Sequence, residues 1–153
     1  MADDRNLSQR LSDFLPYRLS ITSNAVSQRI SDRYRTRFGL KVTEWRVIAV
    51  LGDAGQVTQR ALADLTLLDK VAVNRACKVL GERGLVRRLP NTRDGRSHLL
   101  ELTEEGAAIH DEVMPMVRAE EAAIFECLDE DEIVQLRSML DRLLEQSGET
   151  GGD

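Results

Sequence analysis

Val71, Asn74, Arg75 and Lys78 recur at three- and four-residue spacing, so a helix lines them along one edge. Together they carry methyl groups, a carboxamide, a guanidinium and an ammonium, a set suited to an anion. Val73, Cys77 and Leu80 follow one another at i, i+4 and i+7 and give the same helix an apolar side. One side seeks a core and the other an anion. Asp69 is placed to cap the start of this helix, and Gly84 to stop it in the left-handed conformation.

Two extended runs follow, 85–89 and 97–102, around a connector at 90–96 that holds Pro90, Asn91, Arg93, Asp94-Gly95 and Arg96. Turn-forming residues at those places predict a hairpin with charge at its tip. Upstream, 58–65 (TQRALADL) predicts a short capped helix, parted from the basic one by Thr66, Leu67 and Leu68. Helix, short turn, basic helix and charged hairpin make a winged helix-turn-helix, which lays its second helix in a DNA major groove.

The overall charge of −5 argues against a nucleic-acid partner, but its distribution does not. Between residues 58 and 98 nine Arg or Lys stand against four Asp or Glu, a local balance of +5 that leaves −10 for the rest of the chain. Segregation of this kind lets one surface replace the counterions of DNA while an acidic body preserves solubility. At 153 residues the length suits a single domain, 1–153. No apolar run approaches a membrane span, and the start, MADDRNLSQR, lacks a secretory segment, so a cytoplasmic protein without a membrane partner is expected. Cys77 and Cys127, each within an apolar helical pattern, are poor material for a disulfide.

Residues 1–6 are polar and predict disorder; Leu7, Leu11, Phe14 and Leu15 have helical spacing. Pro16 fits the first turn of a longer helix to Phe38 with the stripe Leu19, Val26, Ile30 and Tyr34, ended by Gly39. Arg29, Arg33, Arg35 and Arg37 crowd its second half, where they support DNA backbone contacts or, the simpler expectation, face solvent. Thr43 is the expected cap of a helix with Trp45, Ile48, Ala49 and Leu51 at core spacing, closed by Gly52 and Gly55. Gln56-Val57 is the expected first strand. Thr103 opens a long helix to about Cys127, kinked by Pro115. Asp129 and Glu132 form a capping box, with Leu128 placed to staple onto Ile133, for a last helix with the stripe Ile133, Leu136, Leu140 and Leu143. The expected class is therefore mainly α (α+β), with a DNA-binding lobe at 43–102 and a dimerisation lobe formed by 7–38 with 103–146. The terminal stripes exceed what a lobe of roughly sixty residues covers, which predicts a two-fold homodimer on palindromic double-stranded DNA, its reading helices ~34 Å apart.

The chain resembles the MarR family of bacterial transcriptional regulators along nearly its whole length. Residues 94–103, DGRSHLLELT, match the family's wing signature D-x-R-x-x-x-[VL]-x-L-T, and 82–86, ERGLV, match its exit from the recognition helix. The resemblance implies that Arg96 enters the minor groove at the wing tip and that Asp94 orients it by pairing with an arginine; a guanidinium suits the negative potential of that groove. Asn74 and Arg75 carry the chemistry for adenine and guanine edges, Val71 for a thymine methyl, and Lys78 for phosphate. Gln59 and Arg60 offer amide donors and a cation to backbone oxygens, with Lys70 and Arg93 completing the candidate DNA set. Ala72 departs from the family, which often has a phosphate-holding Ser or Thr there.

Family likeness further implies a small phenolic or carboxylated effector in a crevice between the dimerisation lobe and the reading lobe, for which Tyr17, Arg18, Asn24, Trp45 and Arg46 are candidates; Trp45 at core spacing reads first as packing. The expected function is a repressor released by such a ligand. A thiol- or metal-responsive regulator is the alternative, although no cysteine precedes Cys77 and that cysteine sits where a small apolar residue is expected. The only histidines, His98 and His110, stand without a nucleophile pattern, a phosphate loop or a converging metal-ligand spacing. No catalytic residue, metal or cofactor is expected.

Overall fold

The structure, a computed structural model, describes residues 10–148. The expected disorder of residues 1–6 and the apolar position Leu7 lie outside them. The chain forms two compact units, Met1–Arg118 and Ala119–Asp153.

In the first unit a helical stretch at 10–12 precedes α1 (Leu15–Phe38). Pro16 falls in the first turn of α1, where its missing N–H costs nothing. Gly39 closes it at φ 62° with its N–H on the Arg35 carbonyl. Helix α2 (Val42–Ala54) begins earlier than the sequence suggested, with Lys41 and not Thr43 at the cap. The Glu44 carboxylate, which accepts the Lys41 N–H at 3.0 Å, draws the start upstream. Gly52 lies within α2 and not at its end; it faces the ring of His110, and any Cβ there would collide with that ring.

Strand β1 (Val57–Thr58), one residue later than expected, leads into α3 (Gln59–Thr66). Thr58 caps α3 by accepting the Ala61 N–H at 3.1 Å. Thr66 belongs to the helix, its hydroxyl donating to the Leu62 carbonyl at 2.7 Å, so the turn starts at Leu67 with a left-handed φ of 55°. Asp69 then caps α4 (Lys70–Glu82) through the Ala72 N–H at 2.8 Å. Gly84, at φ 70°, reverses the chain into β2 (Val86–Pro90). With β3 (His98–Leu102) this strand makes the wing, each strand shifted one residue later at its start than the sequence suggested. The sheet is antiparallel in the order β1-β3-β2, with Val57 and Arg88 both opposite Leu100.

The core of this unit is built from Trp45, Val47, Ile48 and Leu51 of α2, Leu62 of α3, Val73, Ala76, Cys77 and Leu80 of α4, and Leu85, Val86 and Leu100, closed by Tyr34 and Val113. α5 (Glu104–Phe125) continues through Pro115 and ends short of Cys127. In the second unit Asp129 and Glu132 exchange the reciprocal bonds of a capping box, 2.8 and 3.2 Å, at the start of α6 (Glu130–Gly148). Along α6 no residue is buried, and Val134, Leu140, Leu143 and Leu144 are exposed. Among the described residues no helix is long and apolar enough to cross a membrane.

Candidate nucleic-acid interface

Helix α4 turns its two sides as the spacing required. Val73, Cys77 and Leu80 are buried, while Lys70, Val71, Asn74, Arg75 and Lys78 are exposed, Val71 at 58% despite its apolar side chain. Val71 thus leaves an apolar side chain exposed in the first turn of a basic helix.

Two hollows join this edge to the wing. The first, about 330 Å³, lies between the start of α3 and the hairpin and is lined by Thr58, Gln59, Arg60, Arg88, Asp94, Arg96, Ser97, His98 and Leu100. The second, about 320 Å³, lies between α3 and α4 and is lined by Gln59, Arg60, Ala63, Lys70, Val73 and Asn74. Gln59 and Arg60 border both, so one cationic strip runs from the reading helix to the wing. Arg88, Ser97 and His98 were not among the DNA-binding candidates named from the sequence. Arg87 and Arg88 are consecutive in a strand and must take opposite faces, which is the signal that one of them turns toward α3.

The cations divide into two groups. Arg83 donates to the Phe38 and Gly39 carbonyls at 2.7 and 3.2 Å, Arg37 pairs with Glu112 at 2.9 Å, and Arg87 pairs with Glu101. Hydrogen bonds from Gln56 and Arg87 hold the Glu101 carboxyl below its usual range. Arg60, Lys70, Arg75, Lys78, Arg93 and Arg96 have no ion-pair partner among the described residues. On α3, α4 and the wing tip these six are the cations free of an internal ion pair among the described residues.

At the wing tip Asp94 takes the backbone N–H of Arg96 at 3.0 Å, so it acts on the arginine through the main chain, where the family likeness implied a side-chain pair. Asn91 does the same for Arg93 at 3.1 Å and donates to the Ser97 hydroxyl at 2.8 Å, shaping the connector on both sides of the tip.

The five effector candidates do not share one hollow. Trp45 is 6% exposed and stacks between Tyr34 and His110, with ring centroids 5.6 and 6.1 Å away. Tyr17, Arg18 and Arg46 are exposed, Arg18 donating to the Ser12 carbonyl at 3.2 Å. Asn24 borders a polar hollow of about 450 Å³ with Ser27, Gln28, Ser31, Arg35, Lys41 and Val42. Cys77 is buried, and burial pushes its thiol up despite the nearby Arg88 guanidinium, which is the wrong direction for a reactive thiolate.

A helix-turn-helix with a charged wing, an outward basic edge and unspent cations beside it defines a DNA-binding protein of the winged-helix class. Residues 38–97 match the model of the MarR family. The chain is 28% identical over 137 residues to the multiple antibiotic resistance protein MarR of Salmonella typhimurium, covering 81% of this chain and 95% of that one. It is 26% identical over 137 residues to the HTH-type transcriptional repressor IacR of Pseudomonas putida, covering 86% and 78% respectively. A crystal structure of a MarR mutant from E. coli complexed with operator DNA superimposes with a TM-score of 0.73 at 27% identity, over 83% of this chain and 91% of that one. The chain belongs to the MarR family of transcriptional regulators.

Proposed function

We propose that the protein is a repressor that binds a palindromic operator as a homodimer and is released from it by a small carboxylated ligand. One observation carries the DNA half of this reading: six cations without internal partners lie on α4, at the start of α3 and at the wing tip. The operator-bound MarR structure and the repressor among the relatives agree with it. In this reading Asn74, Arg75 and Val71 address bases, Arg96 a minor groove, and Gln59, Arg60, Lys70, Lys78 and Arg93 the phosphates, with Asp94 holding the tip.

The homodimer is supported by the large apolar residues exposed along α6, a surface that a monomer would otherwise leave in water. The effector is supported by the hollow at Asn24, where Arg35 and Lys41 supply positive charge and Asn24, Ser27 and Gln28 supply polar groups. Its lining addresses a carboxylate; the ring of an aromatic acid finds no aromatic partner there.

Fluorescence anisotropy on a labelled promoter fragment, read at several salt concentrations, tests the proposal. Arg96→Ala should weaken binding about tenfold or more and lower the slope of log K against log salt by about 1, with the melting temperature unchanged. Identical curves for variant and parent would remove the wing from the interface. In the same assay, succinate or a related aliphatic carboxylate should release the fragment, and Lys41→Ala should blunt that release; no release at millimolar ligand would refute the effector reading.

A further inference from the structure

Three side chains from three elements form a hydrogen-bonded chain beneath the reading edge. Arg88 of β2 donates through Nη2 to Oε1 of Gln59 at 3.4 Å, and Nε2 of Gln59 donates to Oδ1 of Asn74 on α4. The first member sets the direction of the rest. A guanidinium has only donors, so Gln59 must turn its oxygen toward Arg88 and its amide N–H toward Asn74. Asn74 must in turn give its oxygen to Gln59. What it has left for the groove is Nδ2, a donor.

We propose that Gln59 is a specificity-determining positioning residue, which relays the donor character of Arg88 to Asn74 and makes Asn74 a reader of base acceptors. This rests on the DNA-binding reading above and changes what that reading expects of Asn74. A free asparagine matches adenine by accepting from N6 and donating to N7. Held by Gln59, Asn74 keeps the donor and turns the acceptor away, so a base with an acceptor in place of the amino group is favoured. Guanine, with O6 and N7, is the match, and the amino edges of adenine and cytosine are disfavoured. Gln59 suits this task because, at the first turn of α3, it borders both hollows and reaches the wing and the reading helix at once.

Selection of binding sites from a randomised duplex library tests the relay, using the full-length protein and the variants Gln59→Glu, Gln59→Met and Asn74→Ala. Asn74→Ala identifies the position that Asn74 reads, as the one whose base preference disappears. At that position the parent should select guanine over adenine. A carboxylate can only accept, so Gln59→Glu keeps the Arg88 contact but forces Asn74 to turn its Nδ2 inward and its oxygen outward. Selection there should switch to an amino-bearing base by about tenfold, with the other positions unchanged. Gln59→Met, which keeps the length and removes both bonds, should flatten the preference without inverting it. The relay is overturned if Gln59→Glu selects the parental base at every position, or alters a position other than the one lost in Asn74→Ala. If the parent enriches no duplex, the DNA-binding reading itself fails, a result distinct from enrichment that Gln59 does not influence.

Discussion

Tyr34 is 1% exposed and packs its ring on Trp45, far from solvent for a group that can ionise. Burial pushes its hydroxyl up from 10.0 to about 12, partly opposed by the charges of Arg46 and Arg35. The sign of the consequence follows from proton counting. Between about pH 10 and 12 an unfolded chain sheds the phenolic proton that the folded chain retains, so stability falls as pH rises through that window. Urea midpoints measured on either side of pH 10 should show this alkaline loss in the parent and its disappearance in Tyr34→Phe; an undiminished loss in that variant would assign it to another group. The positions of Tyr34 and Trp45 were legible as core from helical spacing alone. That the two rings and His110 would form one stack was not, because spacing gives a face and not a partner.

At the scale of elements, the two family motifs meet where α4 ends and α5 begins. The Thr103 hydroxyl donates to the Gly84 carbonyl at 2.6 Å, its N–H to the Leu85 carbonyl at 3.0 Å, and its oxygen accepts the Gly106 N–H at 3.1 Å. The threonine that caps α5 therefore also pins the exit of the reading helix. Gly106 lies against the Leu85 carbonyl so closely that any Cβ would collide with main chain, which cannot swing aside as a side chain can. Gly106→Ala should destabilise the protein by about 1–3 kcal/mol in a denaturant titration, despite the better helix propensity of alanine. A neutral or stabilising result would mean that this junction is looser than described. Element types were legible throughout because caps and periodicity agreed; starts at Lys41 and Leu67 were misjudged because side-chain bonds from Glu44 and Thr66 extended the helices.

On the scale of the whole chain the positive charge is segregated, since the +5 stretch at 58–98 is also the stretch that folds into α3, α4 and the wing. The exposed apolar residues of α6 belong to a different part of the chain, the part to which the proposal assigns the dimer. With Leu140 and Leu143 both changed to glutamate, sedimentation velocity should show the proposed dimer dissociating to monomers, and affinity for a two-half-site fragment should fall steeply while a single half-site is bound as before. A double variant that remains dimeric would place the interface elsewhere.

What the residues settled unaided is the order and kind of the elements, the exposed basic edge of α4 and the family, because each depends on local chemistry repeated at fixed spacing. Tertiary structure alone decided that Trp45 packs between the rings of Tyr34 and His110 and that the carboxamide of Gln59 stands between Arg88 and Asn74. The residues joined by those two contacts are 15 and 29 positions apart along the chain. Contacts of that kind exist only once a hairpin and two helices have packed, and no periodicity within one element encodes them.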